Sequence, residues 1–280
     1  MNLISELTHF DARKAIQIHE AKLRDFAMIR NGNISIRSSI FSQYVLTKLI
    51  DTGFVIETMT NCMRNLDIKF DSDAKYEDIF KQFSRFKFVE TAIAVEKRLV
   101  HMVKYFENIK ELDHCRAQPL FWLQYAMCRL SLKQYREAER LFDVAYNYAK
   151  RYGYNESRHL DNQYARFLLE SRTNSNEYSD YMQAFNKAHA IIIKQMRNEP
   201  NSYNPYRVAK NYHLFVERRL EVLQPGDLIG IFRSCKEVSN IGSKNKGSIS
   251  NGRIVGECLI SIQDTLDNLK LNLKTVGIEM

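Results

Sequence analysis

The stretch that decides the fold reads Trp122-Leu123-Gln124-Tyr125-Ala126 and, beyond a polar turn, continues with Tyr135, Ala138, Phe142 and Ala145. A large aromatic opens one helix, and the small Ala126 one turn later lets a second helix come close. The second helix then carries Ala138, Phe142 and Ala145 at steps of three and four residues, which places them on one face. This pattern predicts an antiparallel helical hairpin. Such a pair exposes apolar surface on both sides, so neighbours are expected above and below it.

The offsets run thirteen from Trp122 to Tyr135, then three, four and three to Ala138, Phe142 and Ala145. They are those of one tetratricopeptide-type repeat. A degenerate second copy follows: Tyr164, Ala165, Phe167, Leu168 and Leu169 form its first helix, and Tyr178, Tyr181, Ala184, Phe185 and Ala188 its second. Its turn, over 172–177, is longer than the pattern allows, and Tyr181 stands where Ala is expected. The fold predicted is all-α, a TPR-like antiparallel helical-repeat array. The inward face of such an array falls on Leu120, Leu123, Met127, Leu130 and Ser131, the candidate partner-binding residues. They are too apolar for a peptide-carboxylate clamp and suit an amphipathic helix or a neighbouring subunit. Burial against the chain's own N-terminal helices is the competing expectation.

Outward from the repeats, residues 1–38 read as a helix followed by a short hairpin. Ala15, Ile18, Ala21, Leu23, Phe26 and Ile29 recur at helical spacing, Asn31-Gly32-Asn33 ends the helix, and Ile34 to Arg37 alternates like a strand. This combination is compatible with a winged-helix remnant. Residues 39–118 form an N-terminal helical bundle, broken at Asp51-Thr52-Gly53 and at Asp71-Ser72-Asp73, with two helices meeting around Arg85 to Lys87. Residues 119–224 hold the repeats. Residues 225–280 hold a short helix to about Val238, a basic flexible loop from Ser239 to Ser248, and a capping helix from Ile254 to about Leu273.

Composition agrees with long helices. Only 10 Gly and 4 Pro punctuate 280 residues, too few for a sheet-rich fold. The five cysteines form no CxxC pair and are expected as reduced thiols. The chain starts without a signal-peptide pattern and has no run of about 18 apolar residues, so a cytoplasmic location away from membranes is expected.

The seven histidines make no HExxH arrangement, and neither GxxxxGK[ST], GxGxxG nor GxSxG occurs, so no enzyme, metal or cofactor is expected. Charge is the remaining clue. The formal net charge is +8, and residues 194–253 carry eleven Lys or Arg against five Asp or Glu. Arg207, Lys210, Arg218, Arg219, Lys244, Lys246 and Arg253, with Arg233 and Lys236, are therefore candidates for contacting nucleic acid, and Tyr203, Tyr206 and Tyr212 for stacking on bases.

A family resemblance joins these segments. Asn31 to Arg37 with Ser38 to Leu46, Phe121 to Ala126, His159 to Leu169 and Pro205 to Ala209, in that order, resemble the C-terminal halves of large bacterial antiviral defence proteins. Those proteins carry an N-terminal Sir2-like or TIR effector, a central STAND-type NTPase and a helical-repeat sensor. The resemblance implies the end of a winged-helix segment plus the sensor, without the catalytic parts. The expected function is thus recognition of a protein partner, or of a larger defence complex, through a helical-repeat surface. Nucleic-acid binding by the basic region is the alternative, and self-association is open. The purified chain should neither hydrolyse ATP nor consume NAD; turnover that survives repurification and disappears with one polar substitution would overturn this expectation.

Overall fold

The computed structural model describes Leu7, Lys14 and Ile18 and residues 27–30, 33–36, 39–153, 157–171, 178–245 and 247–278. Two compact units divide at Gly153, Met1–Gly153 and Tyr154–Met280. In the first, strands β1 (Ala27–Arg30) and β2 (Asn33–Ile36) precede α1 (Ser39–Tyr44), which runs into a π-helical turn at Val45–Leu49. Then come α2 (Thr52–Lys69), α3 (Ala74–Phe83), α4 (Phe86–Thr91), a 3-10 turn at Val95–Lys97, α5 (Arg98–Ile109), α6 (Asp113–Ala117), α7 (Pro119–Ser131) and α8 (Tyr135–Arg151). The second unit holds α9 (Ser157–Ser171), α10 (Tyr178–Asn198), α11 (Asn204–Ala209), α12 (Tyr212–Glu217), α13 (Pro225–Asn245) and α14 (Gly252–Thr275). Apart from the hairpin, regular structure among the described residues is helical.

Aspartates set the starts of several helices, because the first amides of a helix lack partners within it. Asp51 accepts from the Phe54 amide at 2.9 Å and Asp73 from the Lys75 amide at 2.9 Å. Asp67 works across helices instead. From α2 it accepts the Asp113 and His114 amides at 3.2 and 3.0 Å and lies 3.0 Å from His114 Nδ1, so it caps α6. His114 in turn stacks on Phe70, with centroids 4.1 Å apart.

The predicted hairpin is α7 against α8. Pro119 opens α7, where its missing amide hydrogen costs nothing. Ala126, Ala138 and Ala145 are fully buried along the seam with Phe142. The turn between the helices uses Lys133 at φ 59°, a left-handed position. Behind α7, Phe106 of α5 stacks on Tyr125 at 5.0 Å and meets Phe121 at 5.9 Å. A polar tie reinforces this layer: Tyr125 donates to Glu107, and Arg129 donates to the Tyr125 hydroxyl at 2.6 Å and to Glu107 at 3.2 Å.

Trp122 is not the core aromatic that its position in the repeat predicts. Only half-buried, it stacks on Tyr148 at 5.9 Å and donates its indole N–H to the Arg116 carbonyl at 2.9 Å. The neighbouring Phe121 takes the inward position. The cavity cost of deleting a core aromatic, about 3–5 kcal/mol, therefore belongs to Phe121 or Phe142.

The hairpin β1–β2 corrects the helix expected through Ile29. The strands pair antiparallel with Ala27 opposite Ile36 and Arg30 opposite Asn33, which leaves Asn31-Gly32 between them. Asn-Gly is the preferred sequence of a two-residue hairpin loop. The expected helix residues Ala15, Ala21, Leu23 and Phe26 lie outside the described residues.

In the second unit α9 packs on α10 with Ala165, Ala184 and Ala188 buried, and Phe185 meets Tyr212 and Phe215 at 5.0 Å each. The turn 172–177 lies outside the described residues. The unit boundary falls inside the 119–224 stretch expected as one array, because α7 and α8 complete the first unit's core while α9 and α10 share theirs with α11, α12 and α13.

A second correction concerns the loop expected from Ser239. The helix α13 continues to Asn245, so most of that stretch is helical. Gly242 explains why it looked like a loop. A Cβ there would lie 2.7 Å from Leu259 Cδ2 and 2.9 Å from Tyr206 Cε1, so the glycine serves close packing. Helix α14 follows as expected, with Val255, Cys258, Ile262, Leu266, Leu269 and Leu273 turned inward.

All five cysteines are free and buried. Burial raises the pKa of each; it pushes the thiols of Cys128 and Cys235 up to about 12 and those of Cys62, Cys115 and Cys258 also upward.

The glycines of the α13–α14 pair supply a test. Ala for Gly in a helix interior gains roughly 0.5–1 kcal/mol, and at Gly230 and Gly256 a new Cβ meets nothing within 4 Å. At Gly242 overpacking costs about 1–3 kcal/mol and outweighs that gain. Gly230→Ala and Gly256→Ala should thus raise the denaturation midpoint and Gly242→Ala should lower it. Equal shifts at all three positions would contradict the close seam.

Candidate interaction surfaces

The five residues assigned to an inward repeat face do not form an open surface. Leu123, Met127 and Leu130 are buried in the first unit's own core, Leu120 is partly covered, and only Ser131 is exposed, its hydroxyl donating to the Cys128 carbonyl at 2.8 Å. The competing expectation, burial against the N-terminal helices, describes three of them. Helices α4, α5 and α6 cover the face of α7 that an open array would leave free.

Exposed apolar side chains gather elsewhere in the first unit. Lys48 in the π-helical turn lies 3.7 Å from Glu96 in the 3-10 turn, an exposed ion pair that shows the two segments to be near each other. On these segments and the start of α5, Leu49 is 65% exposed, Val95 72%, Leu99 52% and Val100 65%. Single exposed apolar residues are ordinary, whereas several near one another are less so. No sequence signal singled this group out, because Val95, Leu99 and Val100 sit in a stretch, Ile79 to Leu112, whose many apolar residues do not resolve into one surface stripe.

The basic candidates of the second unit separate into distinct environments. Arg219 is buried, its guanidinium 4.2 Å from the centre of the Phe215 ring and 5.1 Å from that of Tyr181, so it is not available to a phosphate. Arg218 donates to the Glu170 carbonyl at 3.3 Å, and Arg253 pairs with Glu257 at 3.1 Å. Tyr206 and Tyr212 are buried and cannot stack on bases, while Tyr203 is partly exposed. Lys246 lies outside the described residues. Arg207 and Lys210 line a cleft between α9, α11 and α14.

Lys244 belongs to a different feature, a groove of about 640 Å³ between the end of α10 and the exposed face of α13. Arg233, Lys236, Asn240 and Lys244 succeed one another along α13 at steps of three and four residues, and Arg197 faces them from α10. Glu237 is the one carboxylate of the lining among the described residues. It lies 3.3 Å from Arg197 and 3.3 Å from His189 Nε2. His189 Nδ1 is 2.8 Å from the hydroxyl of Tyr212, which is fully buried. A carboxylate only accepts, so a neutral His189 donates from Nε2 to Glu237 and accepts the Tyr212 proton at Nδ1. Burial holds the His189 pKa below its usual value, against the opposing pull of Glu237.

Among the described residues no group of His, Cys, Asp and Glu could hold a metal ion, and no helix is long and apolar enough to cross a membrane. No protein-family model, curated protein or solved structure matches the chain.

His189 carries a pH signature with a definite sign. Its folded pKa lies below the ordinary 6.5, so unfolding takes up a proton, and the stability of the neutral buried ring is whole above that value. It is lost as the pH falls through about 6.5 toward the folded pKa. His189→Gln, which keeps both a donor and an acceptor, should flatten the decline of stability between pH 8 and 5.5. Urea titrations with parallel pH profiles for the two proteins would refute the assignment.

Proposed function

We propose that this chain is a recognition module without catalysis of its own. It engages a protein partner through the first unit, as the helical-repeat sensor of a bacterial anti-phage defence system acting in the cytoplasm. The observation that carries this reading is the exposed apolar group of Leu49, Val95, Leu99 and Val100 around the Lys48–Glu96 pair. Removing such side chains from water is the main driving force of protein association. The helix α5 that carries Leu99 and Val100 packs on α7 of the hairpin with tetratricopeptide-type spacing. The defence setting rests on the sequence resemblance alone.

The basic ridge of α13 favours a second reading, nucleic-acid binding. Arg233, Lys236 and Lys244 have no carboxylate within ion-pair distance among the described residues, and a row of cations can follow a phosphate backbone.

One pull-down from infected and uninfected cells, with and without nuclease, separates the two. The first reading expects a nuclease-resistant partner that is lost on Val95→Glu with Leu99→Glu, exposed positions where the fold should survive. It is wrong if the partner persists in that variant. Under the second, nucleic acid binds the wild type with a steep salt dependence, and replacing Arg233, Lys236 and Lys244 by Ser reduces the slope by about two to three units.

A further inference from the structure

We propose that the cleft between α9, α11 and α14 of the second unit binds a phosphorylated small molecule, a nucleotide or a sugar phosphate. Its volume is about 580 Å³, within the range that small-ligand pockets occupy. Three helices bound it, whereas the groove along α13 lies between two. It is independent of the apolar surface of the first unit, and failure here leaves the protein-partner reading intact.

The lining combines two chemistries. Arg207 and Lys210 reach the cleft from α11 and the residue after it, and neither has a carboxylate within ion-pair distance among the described residues. Arg166 adds a third cation, engaged by Glu170 at 2.6 Å. Glu257 is the one carboxylate of the lining among the described residues, and Arg253 holds it at 3.1 Å. An excess of positive charge therefore faces the recess. That field reaches its floor: burial raises the pKa of the Cys258 thiol there, and Lys210 and Arg207 are the charges that oppose the rise. Two adjacent cations with free donors suit a phosphate monoester.

Beside the cations stand the carboxamides of Gln163, Asn204 and Asn211. A carboxamide both donates and accepts, so a set of them recognises hydroxyls, amines and ring nitrogens and has little use for a bare anion. Gln163 gives the sharpest indication. Its Oε1 is shielded from solvent and has no hydrogen-bond partner among the described residues, a condition that buried polar atoms rarely tolerate. Rotation about the soft terminal torsion of the side chain turns that oxygen toward a donor in the cleft. A sugar hydroxyl or a base amino group on a ligand anchored by its phosphate would supply one.

Calorimetry on the full chain at low salt tests this with five probes: AMP, ribose 5-phosphate, inorganic phosphate, adenosine and ribose. The expected result is binding of at least one phosphate ester, with adenosine and ribose silent. Preference for AMP would assign a nucleotide, and preference for ribose 5-phosphate a sugar phosphate. Arg207→Ser with Lys210→Ser, both exposed positions, should leave the melting temperature in place and weaken the ester by at least about tenfold, the loss of one charge-assisted contact or more. Gln163→Leu should weaken the ester and not inorganic phosphate. The proposal is overturned if no ester binds, if the double substitution leaves binding unchanged, or if inorganic phosphate binds as tightly as the esters.

Discussion

The close approach of helix backbones at seams of small residues is the constraint on which both units depend. Neighbouring helices lie 8–10 Å apart according to the side chains between them. In the first unit Ala126, Ala138 and Ala145 bring α7 and α8 together; in the second, Ala165, Ala184 and Ala188 do so for α9 and α10, and Gly242 lets α13 meet Leu259 of α14 and Tyr206. Because these side chains are small, the bulk that fills each core comes from aromatics beside the seam, Phe142 in one unit and Phe185 in the other. The polar network of Tyr125, Glu107 and Arg129 then locks α5 to α7. Glu107 is pushed up by burial, yet its hydrogen bonds with Lys110 and Tyr125 prevail and keep the carboxyl below its ordinary range.

The hairpins were readable because alternation of small and aromatic residues at helical spacing is a strong signal whose physical basis is local. What remained hidden depends on partners distant in sequence. Phe121 and Trp122 are adjacent aromatics on one helix, and their choice of direction rests on Phe106 of α5, which meets Phe121 and stacks on Tyr125 behind α7. Ser239 to Asn245 has the composition of a loop, and only the presence of Leu259 and Tyr206 gives Gly242 a reason to lie within a helix. The hairpin β1–β2 is a different case, for Asn31-Gly32 carried the signal and could have been read as a turn between strands.

The candidate surfaces were less legible still. Composition located an excess of Lys and Arg in 194–253, but a guanidinium looks the same in sequence whether it lies on Phe215, as in Arg219, or faces a cleft, as in Arg207. Apolarity placed Leu123, Met127 and Leu130 on a face of α7 without revealing that other helices of the same unit cover it. The positions of Glu237 and Glu257 matter for the same reason. Among the described residues each is the one carboxylate of a basic lining and already pairs with an arginine, a pairing that composition could not reveal.

The burial of every cysteine gives the chain built-in reporters of its own motions. A thiolate reacts and a buried thiol does not, so labelling under native conditions requires a transient opening that brings the sulfur to water. Cys62, Cys115 and Cys128 lie in the first unit, Cys235 and Cys258 in the second. The rates at which an alkylating reagent finds the two groups would therefore time the breathing of each unit separately, within one molecule and without any added probe.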